Sequence, residues 1–183
     1  MAERPFPGID EGQLLSDEQW SFLAECRDMV EGFSDRLPDG LQTSARIESF
    51  RGDDQLLLEV SDLDSGLTIE AIASADEVIV AMSEADAWSN HWHFAPHWND
   101  VYGPVPVRSW RSLAVDFVAE LLQGEVRVRV TYRGGRPVKV HTEVSTSDGG
   151  SLTEGITGAL TLNAMRFWAQ RRVEDRNVRF GGP

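Results

Sequence analysis

Cysteine occurs once in this chain, at Cys26, and lysine once, at Lys139. A lone thiol excludes an intramolecular disulfide and any zinc site built from several cysteines, and it fits a reducing compartment. No run of ~18 apolar residues is present to cross a bilayer as a helix. Met1 to Leu15 lacks the basic start and apolar stretch of a secretory signal, so the sequence reads as a soluble, cytoplasmic protein. Also missing are a G-x-S-x-G elbow, a G-x-x-x-x-G-K-[ST] loop, an H-E-x-x-H helix and a G-x-G-x-x-G turn between strand and helix. No enzyme class is therefore indicated; no catalytic residue is assigned and no cofactor is expected.

Cationic charge is scarce in one part of the chain only. Up to Val107 there are 22 Asp and Glu against 5 Arg, whereas from Arg108 onward 12 Arg and Lys face 8 acids. The net charge of −13 opposes binding to DNA, RNA or an anionic membrane, because phosphate contacts need cationic side chains. A lopsided field of this sort bears on association and points to a basic protein partner. With 183 residues, 41% of them hydrophobic and 26% charged, the chain is long and apolar enough for one self-sufficient core.

Met1 to Leu15, with Pro5, Pro7, Gly8 and Gly12, reads as an irregular lead-in, and 16–183 as a single α+β domain. Ser16 with Gln19 forms a capping-box pattern, and Asp17 and Glu18 suit the positive end of a helix. Trp20, Leu23, Ala24, Met29, Val30 and Phe33 then follow near the helical period until Leu37-Pro38-Asp39-Gly40.

After Gly40 the period becomes two. Leu41 to Phe50, Gln55 to Asp62, Gly66 to Ala73 and Asp76 to Ser83 predict strands joined by tight turns, hence an antiparallel meander, with a further strand over Trp88 to Ala95. Ser109 predicts the cap of a second helix with an apolar stripe of Trp110, Leu113, Ala114, Phe117, Leu121 and Leu122, ending at Gly124. Alternation through Val126 to Tyr132 and Val138 to Thr142 about Gly134-Gly135 predicts a hairpin. Thr157 to Asn163 predicts a strand, and Arg171 to Phe180 a final extended segment. The expected architecture is α+β: an antiparallel meander sheet with two amphipathic helices packed on it.

The densest local chemistry runs from Trp88 to Asp100. On a strand His91 and His93 share a face, and His97 four positions on would complete a three-nitrogen metal site with an open position. That is the basis of an alternative reading, a small-molecule or metal-binding enzyme. A plainer reading is an edge strand whose aromatics pack under the second helix while its histidines bond to neighbouring groups. A third is an exposed aromatic contact patch of Trp88, His91, Trp92, His93 and Trp98.

Acidic residues gather at the predicted turns: Asp53-Asp54, Asp62 with Asp64, Asp76-Glu77, and Glu84 with Asp86. Alternate turns of a meander fall at one end of the sheet, so two acidic rims are expected, able to speed association with a cationic partner. Asp62-Leu63-Asp64-Ser65-Gly66 lacks the rest of an EF-hand loop. Arg166, Phe167, Trp168, Arg171, Arg172, Arg176, Arg179 and Phe180 interleave basic and aromatic residues as single-strand nucleic-acid surfaces do. The acidity of the rest opposes that, and no nucleic-acid or membrane partner is expected.

The run from Thr68-Ile69-Glu70 to Val80, then Trp92-His93-Phe94, the capped second helix and the arginine-flanked hairpin at Gly134-Gly135, resembles small acidic bacterial immunity proteins encoded beside polymorphic toxins. The resemblance spans about half the chain. It implies a non-enzymatic inhibitor that binds a toxin domain, with the acidic turns and the histidine-aromatic strand as contacts. A secretion chaperone or adaptor is the close variant.

Overall fold

The computed structural model describes residues 5–9, 13, 15–33, 41–50, 52–85, 87–96, 109–145, 151–157 and 171–180. Helix α1 (Asp17–Gly32) is followed by strands β1 (Leu41–Phe50), β2 (Asp53–Asp62), β3 (Leu67–Ala73), β4 (Val78–Glu84) and β5 (Trp88–Phe94). Helix α2 (Trp110–Gln123) then leads to β6 (Val126–Arg133), β7 (Arg136–Ser145), β8 (Ser151–Thr157) and β9 (Arg171–Val178). The α+β class and the antiparallel meander are as the sequence predicts: β1 to β5 pair in simple order. The later strands do not extend that sheet. They form a second, four-stranded antiparallel sheet in the order β8-β7-β6-β9.

Helix α1 starts as the capping box demands, with Ser16 Oγ accepting from Gln19 N and Gln19 Oε1 accepting from Ser16 N. The face it buries is not quite the expected one. Gln19, Phe22, Leu23, Cys26, Arg27 and Val30 point inward, while Ala24 is exposed and Trp20 only half-buried. Two polar residues lie on the buried stripe because each has backbone carbonyls to serve. Gln19 Nε2 donates to Asp54 O and Ala73 O, and Arg27 donates to Pro5 O and Phe6 O. Arg27 thereby ties the lead-in down, and Phe6 and Ile9 join the core although they precede the first helix.

In α2 the stripe is as read except that Leu113 is only partly buried, and Val115 and Val118 are added to it. The helix lies on the inner face of the five-stranded sheet beside α1, to which Arg111 and Ser112 reach through Glu18 and Glu25. Gly134 and Gly135 take φ of 56° and 76° at the β6–β7 turn, values that L side chains resist.

A strand over Thr157 to Asn163 is replaced by β8 at Ser151–Thr157, which pairs with β7; 158–163 lie outside the described residues. The final segment is no loose tail, since β9 pairs along its whole length with β6. One apolar cluster takes in the inner faces of both sheets and of both helices. Two polar links cross it: Asn90 Nδ2 donates to Thr142 Oγ1 at 2.5 Å, and Arg176 pairs with Glu84.

Candidate functional site

Strand alternation divides Trp88–Phe94 cleanly. Trp88, Asn90, Trp92 and Phe94 are buried while Ser89, His91 and His93 are exposed. The Trp92 ring meets Phe117 of α2 edge-on at 4.9 Å between centroids, and Phe94 meets it at 5.5 Å. The exposed aromatic patch is therefore corrected: Trp88 and Trp92 belong to the core, because at period two they share a phase with the apolar face. Of the two, Trp92 has no acceptor for its indole N–H among the described residues, whereas Trp88 Nε1 donates to Glu84 Oε2 at 2.7 Å. β5 is the edge of its sheet and packs toward β7 and β8, in line with the plainer reading of this stretch.

His91 and His93 do share a face, with ring centroids 4.8 Å apart. His93 Nδ1 lies 2.5 Å from Glu77 Oε1, so its nearest polar group is a turn carboxylate. Among the described residues no group of three or more His, Cys, Asp or Glu is placed to hold a metal. His97, Trp98 and Asp86 lie outside the described residues.

The turns that carry the acidic residues fall at the two ends of the meander. Gln19 bridges Asp54 O and Ala73 O, which sets the Asp53-Asp54 and Asp76-Glu77 turns side by side. At the other end Asp62, Leu67, Glu84 and Trp88 stand in one row across four strands.

The carboxylates differ in what occupies them. Asp62 is 1% exposed and builds its own turn, accepting from Asp64 N, Ser65 N and Ser65 Oγ. That corrects it as a surface contact: an Asx turn folds its oxygens onto the backbone. Glu84 is occupied by Trp88 and Arg176, Glu77 by His93, and Asp54 by Ser49 Oγ. Asp53, Asp64 and Asp76 are exposed and make no ion pair among the described residues.

A stronger acidic feature lies on the face of the same sheet turned away from the two helices. Register sets Ser44, Glu59, Glu70, Ala81 and His91 side by side across five strands. The next row is Arg46, Leu57, Ile72, Ile79 and His93. Glu59 and Glu70 are thus directly opposite each other, an arrangement that disfavours the fold. Arg46 relieves part of it, its Nε 2.7 Å from Glu48 and its Nη1 3.3 Å from Glu59. Glu70 has no such partner among the described residues, and partial burial, with Glu59 beside it, raises its carboxyl above the ordinary range.

The alternation of β2 and β3 puts both glutamates on the polar phase. The four-residue turn over 63–66 sets 59 against 70, whereas a strand starting at Gly66, as the sequence reads, would set 59 against 69; the opposition of the two glutamates depends on that one-residue difference.

Elsewhere a cavity of about 510 Å³ opens on the second sheet, against Glu125, Arg127, Glu143, Asp175, Arg176 and Asn177. Its charges largely satisfy one another. Arg127 Nε and Nη2 donate to Asp175 at 3.0 and 3.1 Å, and Arg129 reaches the same carboxylate, holding it down at about 2. Cys26 is 1% exposed, and burial pushes its thiol far up, which makes it an inert core residue.

No helix among the described residues is long and apolar enough to cross a membrane. Comparison with protein-family models, curated proteins and solved structures returns no match to this chain.

Proposed function

We propose that the chain is a non-enzymatic protein-binding module for a basic partner, acting as an immunity-type inhibitor of a bacterial toxin domain in the cytoplasm. The observation that carries this reading is the Glu59–Glu70 pair on the face of the five-stranded sheet turned away from the helices. Like charges placed opposite each other oppose folding, and partial desolvation of Glu70 adds to the penalty. A cationic side chain set between them offsets the repulsion and compensates the lost hydration by direct attraction, so the strain in the free protein becomes affinity in the complex.

The exposed turn residues Asp53, Asp64 and Asp76 extend the negative field beyond this face and favour rapid encounter. His91 and His93 stand at the β5 edge of the same surface as its polar rim. Trp88, Trp92 and Asp62 take no part in contact; they hold the sheet in shape.

Co-expression with the product of the adjacent gene tests the proposal. A stable complex in which the client is inactive is expected, and Glu59→Gln combined with Glu70→Gln should slow association roughly tenfold at low salt. No complex, or one indifferent to both charges and to salt, refutes it. A client that stays active while bound identifies an adaptor instead.

A further inference from the structure

Strand β9 closes the second sheet on one side. It pairs with β6, and among the described residues nothing pairs with its other edge. An open edge offers a row of backbone donors and acceptors to another strand.

The sequence of this edge is self-complementary. Arg171-Arg172-Val173-Glu174-Asp175 runs as two cations, one apolar residue and two anions. Laid antiparallel on a second copy with Val173 against Val173, Arg171 meets Asp175 and Arg172 meets Glu174, and symmetry repeats both pairs. Opposed residues of an antiparallel pair project from the same face, so this register also keeps the two faces of the sheet continuous. Shifting it by two residues would set Arg172 on Arg172, or Glu174 on Glu174.

Two further observations favour that register. Val173 is 46% exposed, and among the described residues only Leu63 is another large exposed apolar side chain. Register also places Arg136, Arg133 and Arg171 side by side across three strands. A row of like charges is unfavourable, and Arg171 at its open end makes no ion pair among the described residues. In the symmetric pair that open end meets Asp175 of the second copy, the carboxylate that already draws in Arg127 and Arg129.

We propose that two copies of the chain associate through antiparallel β9–β9 pairing centred on Val173, joining their second sheets into one continuous sheet. The contact is isologous and closes at two copies. A single strand pair is a small interface, so the dimer dissociates on dilution. It uses neither Glu59 nor Glu70, and it stands or falls independently of the proposed partner-binding face.

Sedimentation equilibrium of the full chain, at about 1 μM and about 100 μM to bracket the range of small interfaces, should show a rise toward twice the 20.4 kDa chain mass. Arg171→Glu sets carboxylates against Asp175 at both ends of the contact and should weaken the dimer at least about tenfold. Because the Arg171 side chain is exposed and makes no ion pair among the described residues, folding should survive that change, as far-UV circular dichroism would verify. Val173→Cys should form a disulfide-linked dimer under mild oxidation, whereas Leu63→Cys, on the β2–β3 turn, should not. A monomer at about 100 μM overturns the proposal and leaves the edge to a strand from another protein. Equal cross-linking of the two cysteine variants, or a dimer indifferent to Arg171→Glu, overturns it as well.

Discussion

Replacing Gln19 removes three hydrogen bonds that meet on one buried side chain. Its Oε1 accepts from Ser16 N at 3.0 Å, and its Nε2 donates to Asp54 O at 3.0 Å and Ala73 O at 3.1 Å. Ser16 and Asp54 are both exposed, so water can replace the lost partner there, whereas the bond to Ala73 is fully buried. A neutral hydrogen bond contributes about 1 kcal/mol net, and a buried carbonyl left without a donor costs about 1–3 kcal/mol more. Gln19→Ala should therefore lower stability by about 3–4 kcal/mol, and Gln19→Met, which keeps most of the volume, by about 2–3 kcal/mol.

Gln19→Glu is the sharper variant. It retains the acceptor for Ser16 N but turns a carboxylate oxygen toward two carbonyls, so at neutral pH it should be at least as damaging as alanine, and it should recover on acidification. Urea unfolding followed by far-UV circular dichroism measures all three. With a slope of about 2 kcal/mol per molar, the alanine variant should move the midpoint down by roughly 1.5–2 M. Losses below about 1 kcal/mol in both the alanine and methionine variants would refute the reasoning, since the two carbonyls would then be satisfied without Gln19.

Glu70→Gln should stabilise the fold at neutral pH by about 0.2–1 kcal/mol, the scale of one opposed cross-strand pair. The sign follows from the raised carboxyl: its favourable contribution is complete below the ordinary glutamate range and is lost as pH rises through the folded value, so the gain from glutamine vanishes in acid on thermal melts. Asp175 behaves oppositely. Held at about 2 by Arg127 and Arg129, it contributes above the ordinary carboxylate range and loses that contribution as pH falls through about 2, so Asp175→Asn should lower the melting temperature near neutrality and converge on the parent at the acid end. Gly8→Ala should cost roughly 2 kcal/mol or more in urea unfolding, because φ is +104° there and an added Cβ would lie 2.5 Å from Ala45 O.

How much could be read in advance depended on how local the cause was. Ser16 with Gln19 and Ser109 are caps whose partners lie within one turn, and both helices begin where these residues say. The turns of the meander were equally local. Trp88 and Trp92 show the limit of a local reading: the period gave their common phase, but whether that phase faced core or solvent depended on α2 bringing Phe117 against it. Asp62 shows it at smaller scale, as a carboxylate in an acidic turn that faces its own backbone N–H groups.

The sequence by itself determined the helices, the order of the meander and the segregation of charge, because each follows from propensity, periodicity or plain order along the chain. Tertiary structure alone decided that the later strands form a second sheet, that Arg176 crosses to Glu84, and that Gln19 serves carbonyls on two other strands. Those are contacts between segments far apart in sequence, and a residue's type fixes only what it can bond, not which distant backbone the packed core will set before it.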